Sequence, residues 1–124
     1  MSEIFYSKQH AWVKLEGDGV ATVGISDFAQ EQLGELVFVE LPQLGLLVTA
    51  SEPAASFESN KAFDDLIAPV SGEVIEVNHG LDEDPETIND DPTGAGWVFK
   101  VRLSNEGGLQ NLLTSDSYIE YLEG

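Results

Sequence analysis

The chain offers few side chains that could act as nucleophiles or bind a metal ion. It has no cysteine and only two histidines, His10 and His79. The lack of cysteine excludes disulfides, thiolate nucleophiles and cysteine-ligated metal sites. Neither a Gly-x-Ser-x-Gly nucleophile elbow nor a glycine-rich phosphate loop occurs in the sequence. These residue types predict a protein that is not itself an enzyme and has no metal centre.

Carboxylates are the most abundant ionisable groups, with 23 aspartates and glutamates against five lysines and arginines, for a net charge of −18. Paired carboxylates can catalyse acid–base reactions, but among 23 of them a pair carries no specificity. The clusters at 82–84 and 90–91 lack the spacing of an EF-hand loop and indicate a solvated acidic surface. Such a surface repels nucleic acid and anionic lipid, so we expect neither as a partner. It fits partners with basic patches, adaptation to a salty cytoplasm, or both.

Lysine is the remaining candidate, and the chain has four: Lys8, Lys14, Lys61 and Lys100. Lys61 lies between two strand-like runs, 54–59 and 63–68. Its neighbour Asn60 tolerates the positive φ that tight hairpins often need. The pattern predicts that Lys61 stands at a hairpin tip and projects into solvent. A lysine in a turn is usually an ordinary surface residue, so this position alone assigns no function.

The elements that must position Lys61 are mostly short strands. Apolar, β-branched and aromatic runs bounded by turn residues predict strands at 11–15, 20–25, 36–41, 54–59, 63–68, 73–77 and 97–103. A further strand could form at 46–48. Ser26 is the predicted N-cap of a helix over 27–33, which ends at Gly34.

Small helices are predicted at the edges of this β structure. One helical turn is expected to begin at Asp84–Pro85. Two C-terminal helices are indicated by apolar residues at helical spacing, with Ser115 as the cap of the second: Leu109, Leu112, Leu113, Tyr118, Ile119 and Leu122. The predicted fold class is therefore mainly β, a flattened barrel or sandwich hybrid with short peripheral and C-terminal helices.

Length and composition predict one compact domain over residues 1–124, because 42% hydrophobic residues suffice for a core. No apolar run is long enough to span a bilayer. The first ten residues have neither the apolar segment of a signal peptide nor the Arg-rich pattern of a transit peptide. We expect a monomeric cytoplasmic protein.

Two blocks around Lys61 carry a resemblance to a known family. Residues 57–62 (Phe-Glu-Ser-Asn-Lys-Ala) and 68–78 resemble the lipoyl-lysine hairpin of the glycine cleavage system H-protein family. Further matching blocks occur in the family's order, at His10, 12–13, 20–25, 33–42, 89–92 and 94–100. Several separated blocks in order are far more specific than one short motif.

The resemblance implies a lipoyl-domain type of fold and a carrier function. Lys61 would bear lipoic acid through an amide, which a separate lipoate-attaching enzyme would form. The arm would shuttle the aminomethyl intermediate of glycine between a pyridoxal-phosphate glycine decarboxylase, a tetrahydrofolate-dependent aminomethyltransferase and a dihydrolipoyl dehydrogenase. The cofactor carries the chemistry, and the protein supplies position and recognition.

The resemblance also implies site residues near the carrier lysine. Those expected to recognise partners at the hairpin or to contact the arm are Glu58, Ser59, Asn60, Ala62 and Asp65. Asp65 matches the family's acid after the lysine and would pair with the ammonium of the aminomethyl group.

Three positions depart from the usual pattern of the family. Asn60 stands where a small apolar residue usually precedes the lysine. Ala11 follows His10 where the family usually has an acid, and Phe28 replaces a histidine. In the family these positions line or approach the cleft that shelters the loaded arm.

Other interpretations stay open at this point. A lipoyl domain of a 2-oxoacid dehydrogenase complex usually has Asp before its lysine and a mobile linker, whereas this chain has Asn60 and no linker. A biotin carrier favours methionine on both sides of its lysine, and the only methionine here is Met1. The departures at Ala11, Phe28 and Asn60 keep open an H-like lipoyl donor that serves other lipoate-dependent enzymes. A structural domain with unmodified Lys61 is a further alternative.

Overall fold

The computed structural model describes residues 4–104 and 112–123, whose strands form two antiparallel sheets. The larger sheet contains, in spatial order, β1 (Ile4–Tyr6), β2 (Ala11–Gly17), β3 (Val20–Ile25), β9 (Phe99–Leu103), β8 (Gly72–Val77) and β5 (Leu47–Val48). The smaller sheet contains β4 (Leu36–Glu40), β6 (Pro53–Ser59) and β7 (Phe63–Ile67). The helices of the described residues are α1 (Asp27–Leu33), α2 (Gly80–Glu83), α3 (Thr87–Asp90) and α4 (Ser115–Glu123).

One hydrophobic core joins the two sheets. In the six-stranded sheet, Val23 lies opposite Val13 of β2 and Phe99 of β9, and all three side chains are inaccessible to solvent. Val39 and Phe57 of the three-stranded sheet belong to the same cluster. The inner face of the smaller sheet therefore packs against the larger sheet, and this packing positions the β6–β7 hairpin.

Local sequence signals fix α1, the helix nearest to Lys61. The Ser26 hydroxyl accepts a hydrogen bond from the Ala29 N–H at 3.1 Å, as an N-cap should. At the other end Gly34 adopts φ +85°, and its N–H donates to the Gln30 carbonyl at 3.0 Å. A residue with a Cβ is strained at this φ, so glycine sets where the helix ends.

Helix α4 returns to the first strand of the chain. The backbones of Leu113 and Tyr6 exchange two hydrogen bonds, at 2.7 and 2.8 Å. The Tyr118 ring then stacks on the Tyr6 ring with a centroid distance of 4.3 Å. Both contacts bring the end of the chain next to the start of β2.

The predicted fold class is confirmed as mainly β with short helices. The two separate sheets make the fold a sandwich, and over the described residues they do not close into a barrel. The strand at 20–25, the helix at 27–33 and the Ser26 cap are also confirmed. None of the described helices is long and apolar enough to cross a membrane.

Several predicted boundaries are wrong. Strand β9 begins at Phe99 instead of residue 97, because the Trp97 N–H is bound to the Gly94 carbonyl in a turn. Strand β4 ends at Glu40 instead of residue 41, and strand β1 was not predicted. The helical turn expected at Asp84–Pro85 is instead two short helices, α2 and α3, on either side of that pair.

The C-terminal prediction is wrong in part. Leu112 is not helical, and Leu113 forms a bridge with Tyr6 that outweighs its helical spacing. Leu109 lies outside the described residues. Ser115 is the first residue of α4, and the Thr114 hydroxyl accepts the Ser117 N–H at 3.2 Å in the capping role predicted for Ser115. The predicted apolar face is buried only at Tyr118, with Ile119 and Leu122 exposed.

Candidate functional site

Lys61 lies in the turn 60–62 that joins β6 to β7, as predicted, and its side chain is exposed. Ser59 closes this turn with its backbone and its side chain. Its N–H donates to the Ala62 carbonyl at 2.8 Å, and its hydroxyl accepts the N–H groups of Ala62 at 3.0 Å and Lys61 at 3.3 Å. A buried hydroxyl that holds two successive amides fixes the direction in which the lysine leaves the backbone.

The turn does not use a left-handed residue, contrary to the prediction for Asn60. Among the described residues, the non-glycine residues at positive φ are His10, Asp18 and Ser51. The Ser59 side chain supplies the hydrogen bonds that shape the turn, so a positive φ at Asn60 is not required. Asn60 is exposed, and its N–H donates to the Glu35 carbonyl at 3.3 Å.

The platform under the hairpin is residues 34–36, and Asn89 holds it in place. The Asn89 amide nitrogen donates to the Gly34 carbonyl, and its oxygen accepts the Leu36 N–H, both at 2.9 Å. The same nitrogen also donates to the Gln30 side chain at 2.9 Å. No local pattern marks Asn89 for this role, although it lies in the block 89–92 that matches the family.

The Lys61 side chain lies across Gly34. A Cβ built on Gly34 would stand 2.8 Å from the Lys61 Cε and 3.6 Å from Nζ. Gly34 therefore serves two purposes, since it permits φ +85° and leaves room for the aliphatic part of the lysine. Among the described residues, no carboxylate makes an ion pair with Lys61 within 4.0 Å. The amine is exposed but rests on the protein instead of projecting straight into solvent.

A cleft of about 180 Å³ opens beside the hairpin. Its apolar walls come from Phe28, Ala29 and Leu33 of α1 and from Ala62 and Ile67 of the hairpin. Phe57 and Leu66 form part of its floor and belong to the core. An exposed amine next to a cleft with such walls fits a lysine that carries a long, partly apolar group.

Polar groups also reach this cleft, and those that ionise as acids are Asp64 and Asp65. Among the described residues that line the cleft, none is a lysine or an arginine. The residues of the cleft therefore give it a negative potential that suits a protonated amine. The two family departures Ala11 and Phe28 line the cleft too, whereas Asn60 lies outside it in the turn.

His10 connects the cleft to the C-terminal helix. Its Nδ1 is 2.7 Å from the Tyr118 hydroxyl, which in turn is 2.7 Å from the Ser26 hydroxyl. The His10 ring also packs against Phe28, with centroids 4.7 Å apart. Burial lowers the pKa of His10, so the neutral ring is favoured. Burial likewise raises the pKa of Tyr118.

The other predicted site residues occupy different surfaces of the hairpin. Ser59 is buried, and Ala62 is half-buried at the mouth of the cleft. Glu58 is exposed and lies opposite Phe38 and Phe63 in the neighbouring strands. Asp65 is exposed, borders the cleft and lies opposite Ser56.

Comparison with known proteins decides the family. A family model described as "Glycine cleavage H-protein" matches residues 4–124. The chain belongs to the glycine cleavage H-protein family. Members of this family carry lipoate covalently on a lysine, and they are carriers rather than catalytic subunits. They work with the decarboxylase, the aminomethyltransferase and the dihydrolipoyl dehydrogenase of the same system.

Individual relatives agree over nearly the whole length. The glycine cleavage system H protein of Marinobacter nauticus is 47% identical over 121 residues, which cover 98% of this chain and 93% of the relative. That of Thermotoga maritima is 53% identical over 116 residues, covering 94% and 93%. The crystal structure of the H protein from Mycobacterium marinum has a TM-score of 0.90 at 40% identity, with 98% of each chain covered. The family, the carrier function and the covalent lipoate predicted from the resemblance are thereby confirmed.

Proposed function

We propose that Lys61 is the lipoyl attachment site of this carrier and that the cleft beside it receives the loaded arm. One observation carries the proposal: Lys61 is an exposed amine at the tip of a closed hairpin, next to an apolar cleft. The other lysines are placed differently, and Lys14 lies within strand β2. The Lys100 ammonium lies over the Trp97 ring at 5.4 Å on the larger sheet, and Lys8 lies over Tyr121 at 5.9 Å.

The residues of the hairpin prepare Lys61 for attachment. The Lys61 amine forms an amide with the carboxyl carbon of an activated lipoate, while the leaving group takes the electron pair and the nitrogen loses a proton. Ser59 and Gly34 hold the lysine in one pose before the attaching enzyme arrives. Pre-ordering of this kind reduces the entropy that docking must remove. Once attached, lipoate supplies the disulfide chemistry of the cycle.

The cleft residues bind and shelter the end of the arm. Asp65, with Asp64 beside it, gives the cleft the negative charge that a protonated aminomethyl group needs. Asp64 also accepts the Asp65 N–H at 2.8 Å, which fixes the backbone between them. Phe28 and Ala11 make two sides of the cleft apolar, and they exclude water from it.

The proposal assigns the remaining predicted residues to recognition from outside. Glu58 and Asn60 are exposed on either side of the buried Ser59, where a partner that approaches Lys61 must pass. Ala62 leaves the mouth of the cleft open because its side chain is small. The unit that is recognised is one domain over 1–124, supported by a core shared between both sheets.

The working form in this proposal is a cytoplasmic monomer. A net charge of −18 opposes close approach of two copies, and the decarboxylase, the aminomethyltransferase and the dehydrogenase must all reach the same arm. Tethering raises the local concentration of the dithiolane at each partner in turn. Cell fractionation and sedimentation of the lipoylated protein check both statements.

Intact mass spectrometry tests the attachment site. Expression with lipoate available is expected to give one lipoyl addition, which peptide mapping locates at Lys61. Lys61→Arg is expected to abolish the addition without a change in thermal unfolding, since the side chain is exposed. Lys8→Arg, at another exposed lysine, is the matched control and should be modified normally. Addition that persists in Lys61→Arg would contradict the proposal.

A glycine decarboxylation assay tests the cargo. The lipoylated protein is expected to support CO₂ exchange into glycine with the decarboxylase of the same organism. If the protein is lipoylated at Lys61, fails in this assay and passes its lipoyl group to another unmodified protein, the lipoyl-donor alternative replaces glycine cleavage.

A further inference from the structure

Two large aromatic side chains are exposed on the outer face of the three-stranded sheet. Phe38 is 53% and Phe63 is 67% exposed. Both lie directly opposite Glu58, which pairs with Phe38 of β4 and with Phe63 of β7. The three side chains therefore form one row across the sheet.

The backbone places these aromatics outward in a definite way. The register between β4 and β6 shifts between Leu36 and Phe38, which leaves Val37 as an extra residue. Leu36 and Val39 are buried on either side of the bulge, so Phe38 must point away from the core. Neighbouring exposed aromatics beside a modification site indicate a contact surface, because folding leaves more than half of each side chain in water.

Carboxylates share this outer face with the aromatics. Glu40 lies opposite Ser56, in the next row along the sheet. The Ser56 hydroxyl donates to the Glu40 carboxylate at 3.3 Å, which confirms that these side chains are on one side. None of the three strands contains a lysine or an arginine. The outer face thus combines apolar contact area with negative charge.

We propose that the outer face, defined as Phe38, Glu40, Glu58 and Phe63, is the docking surface for the enzyme that attaches lipoate to Lys61. The complementary surface on that enzyme has an apolar pocket for the two phenylalanines, bordered by lysine or arginine side chains. This inference rests on the proposed function of Lys61, and it identifies the surface of the chain to which the attaching enzyme binds.

The position of the face relative to Lys61 favours this partner. Glu58 and Phe63 form the last strand pair before the turn, so no more than about 10 Å of chain separates Glu58 from the lysine. An enzyme that acylates the Lys61 amine must bring its catalytic centre to the hairpin itself. Enzymes that act on the far end of the arm do not need to approach this closely.

The face also leaves the cleft free. Residues that alternate along a strand point to opposite sides of the sheet. Phe57 and its partner Asp64 point to the cleft side, whereas Glu58 and its partner Phe63 point outward. A second copy of the chain is a poor occupant, because it would oppose one acidic face with another.

Steady-state lipoylation of the full-length unmodified protein tests the inference. The organism's lipoate-attaching enzyme is supplied with activated lipoate, and initial rates are followed by intact mass at varied carrier concentrations. Phe38→Ser and Phe63→Ser are each expected to raise KM roughly tenfold, with kcat at saturating carrier retained within about twofold. Glu40→Gln should raise KM less, and added salt should raise the KM of the natural protein.

Leu47→Ser is the matched control, since Leu47 is 72% exposed but lies on the six-stranded sheet. It is expected to leave KM unchanged, and equal thermal unfolding of all variants shows that they fold. Unchanged KM in both phenylalanine variants overturns the inference. So does an effect confined to glycine decarboxylation or to self-association, because another occupant then uses the face. Failure of the natural protein to be modified at Lys61 contradicts the proposed function instead.

Discussion

The outer faces of the two sheets differ in whether their side chains find partners within the molecule. On the six-stranded sheet, Thr22 lies opposite Lys100, which lies opposite Glu76. The Thr22 hydroxyl donates to Glu16 at 2.6 Å, and the Lys100 ammonium lies over the Trp97 ring. On the three-stranded sheet, the corresponding row is Phe38, Glu58 and Phe63, with the aromatic rings exposed. The side chains of the first row contact one another or their neighbours, whereas the aromatic rings of the second row are exposed and suited to a partner.

The two tightest hairpins differ in the same way. The β2–β3 turn uses Gly17, Asp18 and Gly19, all at positive φ, and a Cβ at either glycine would meet nothing within 4 Å. The β6–β7 turn has no positive φ and is closed by the Ser59 hydroxyl. Backbone freedom is sufficient where a turn only connects strands. In the turn that contains Lys61, hydrogen bonds to the Ser59 side chain hold the backbone instead.

If the six-stranded sheet carries the stability, truncating its core should have the largest effect. Phe99→Ala is expected to lower the free energy of unfolding by about 3–5 kcal/mol, because the ring is fully buried and its removal leaves a cavity. Urea denaturation measures this loss. Whatever fraction remains folded should still be lipoylated at Lys61. If lipoylation falls by more than the folded fraction does, the six-stranded sheet affects the site as well as the stability, and the two sheets do not have separate roles.

A smaller effect on stability is expected in the turn between β6 and β7, which the Ser59 hydroxyl closes. Ser59→Ala removes the acceptor for the N–H groups of Lys61 and Ala62, and should cost about 1–2 kcal/mol. Amide hydrogen exchange at Lys61 and Ala62 should accelerate, and lipoylation should slow. Ser56→Ala, which loses only a 3.3 Å contact with Glu40, is the matched control. Equal exchange rates in the two variants would show that the hydroxyl does not hold the turn.

The weakest expected effect concerns pH, and it arises where α4 meets the cleft. Burial lowers the pKa of His10 below its usual value of about 6.5, so the folded state binds its proton less readily than the unfolded state. The contribution to stability is therefore complete above pH 6.5 and is lost as the pH falls from 6.5 to the lowered pKa. His10→Asn, with a residue that tolerates the φ of +72°, should flatten this part of the curve.

The control for this pH dependence is His79→Asn. His79 is exposed and lies 3.5 Å from Asp82 on the surface, so the slope should persist while His10 remains. Thermal unfolding between pH 5 and 7.5 measures all three proteins. A steeper slope in His10→Asn than in the natural protein would contradict the direction of the pKa shift.

Most of the strands and the α1 helix could be predicted because their signals are local. Val20–Ile25 is a β-branched run between turn residues, and Ser26 and Gly34 mark the two ends of α1. Leu113 was beyond such reasoning, since its helical spacing is overridden by pairing with Tyr6 more than 100 residues earlier. Tertiary pairing of this kind leaves no mark in the local pattern.

The sequence by itself predicted Lys61 as the lysine that carries the cofactor, since Lys61 sits between two strand-forming runs inside blocks that match the family. It also determined that the hairpin would expose this lysine. Only the tertiary structure decided which groups support it. The Ser59 hydroxyl closes the turn, Gly34 leaves room for the lysine side chain, and Asn89 holds residues 34–36 by hydrogen bonds. The tertiary structure also decided that Phe38 and Phe63 share a face with Glu58. These arrangements depend on sheet register and on contacts between distant segments, and local propensity encodes neither.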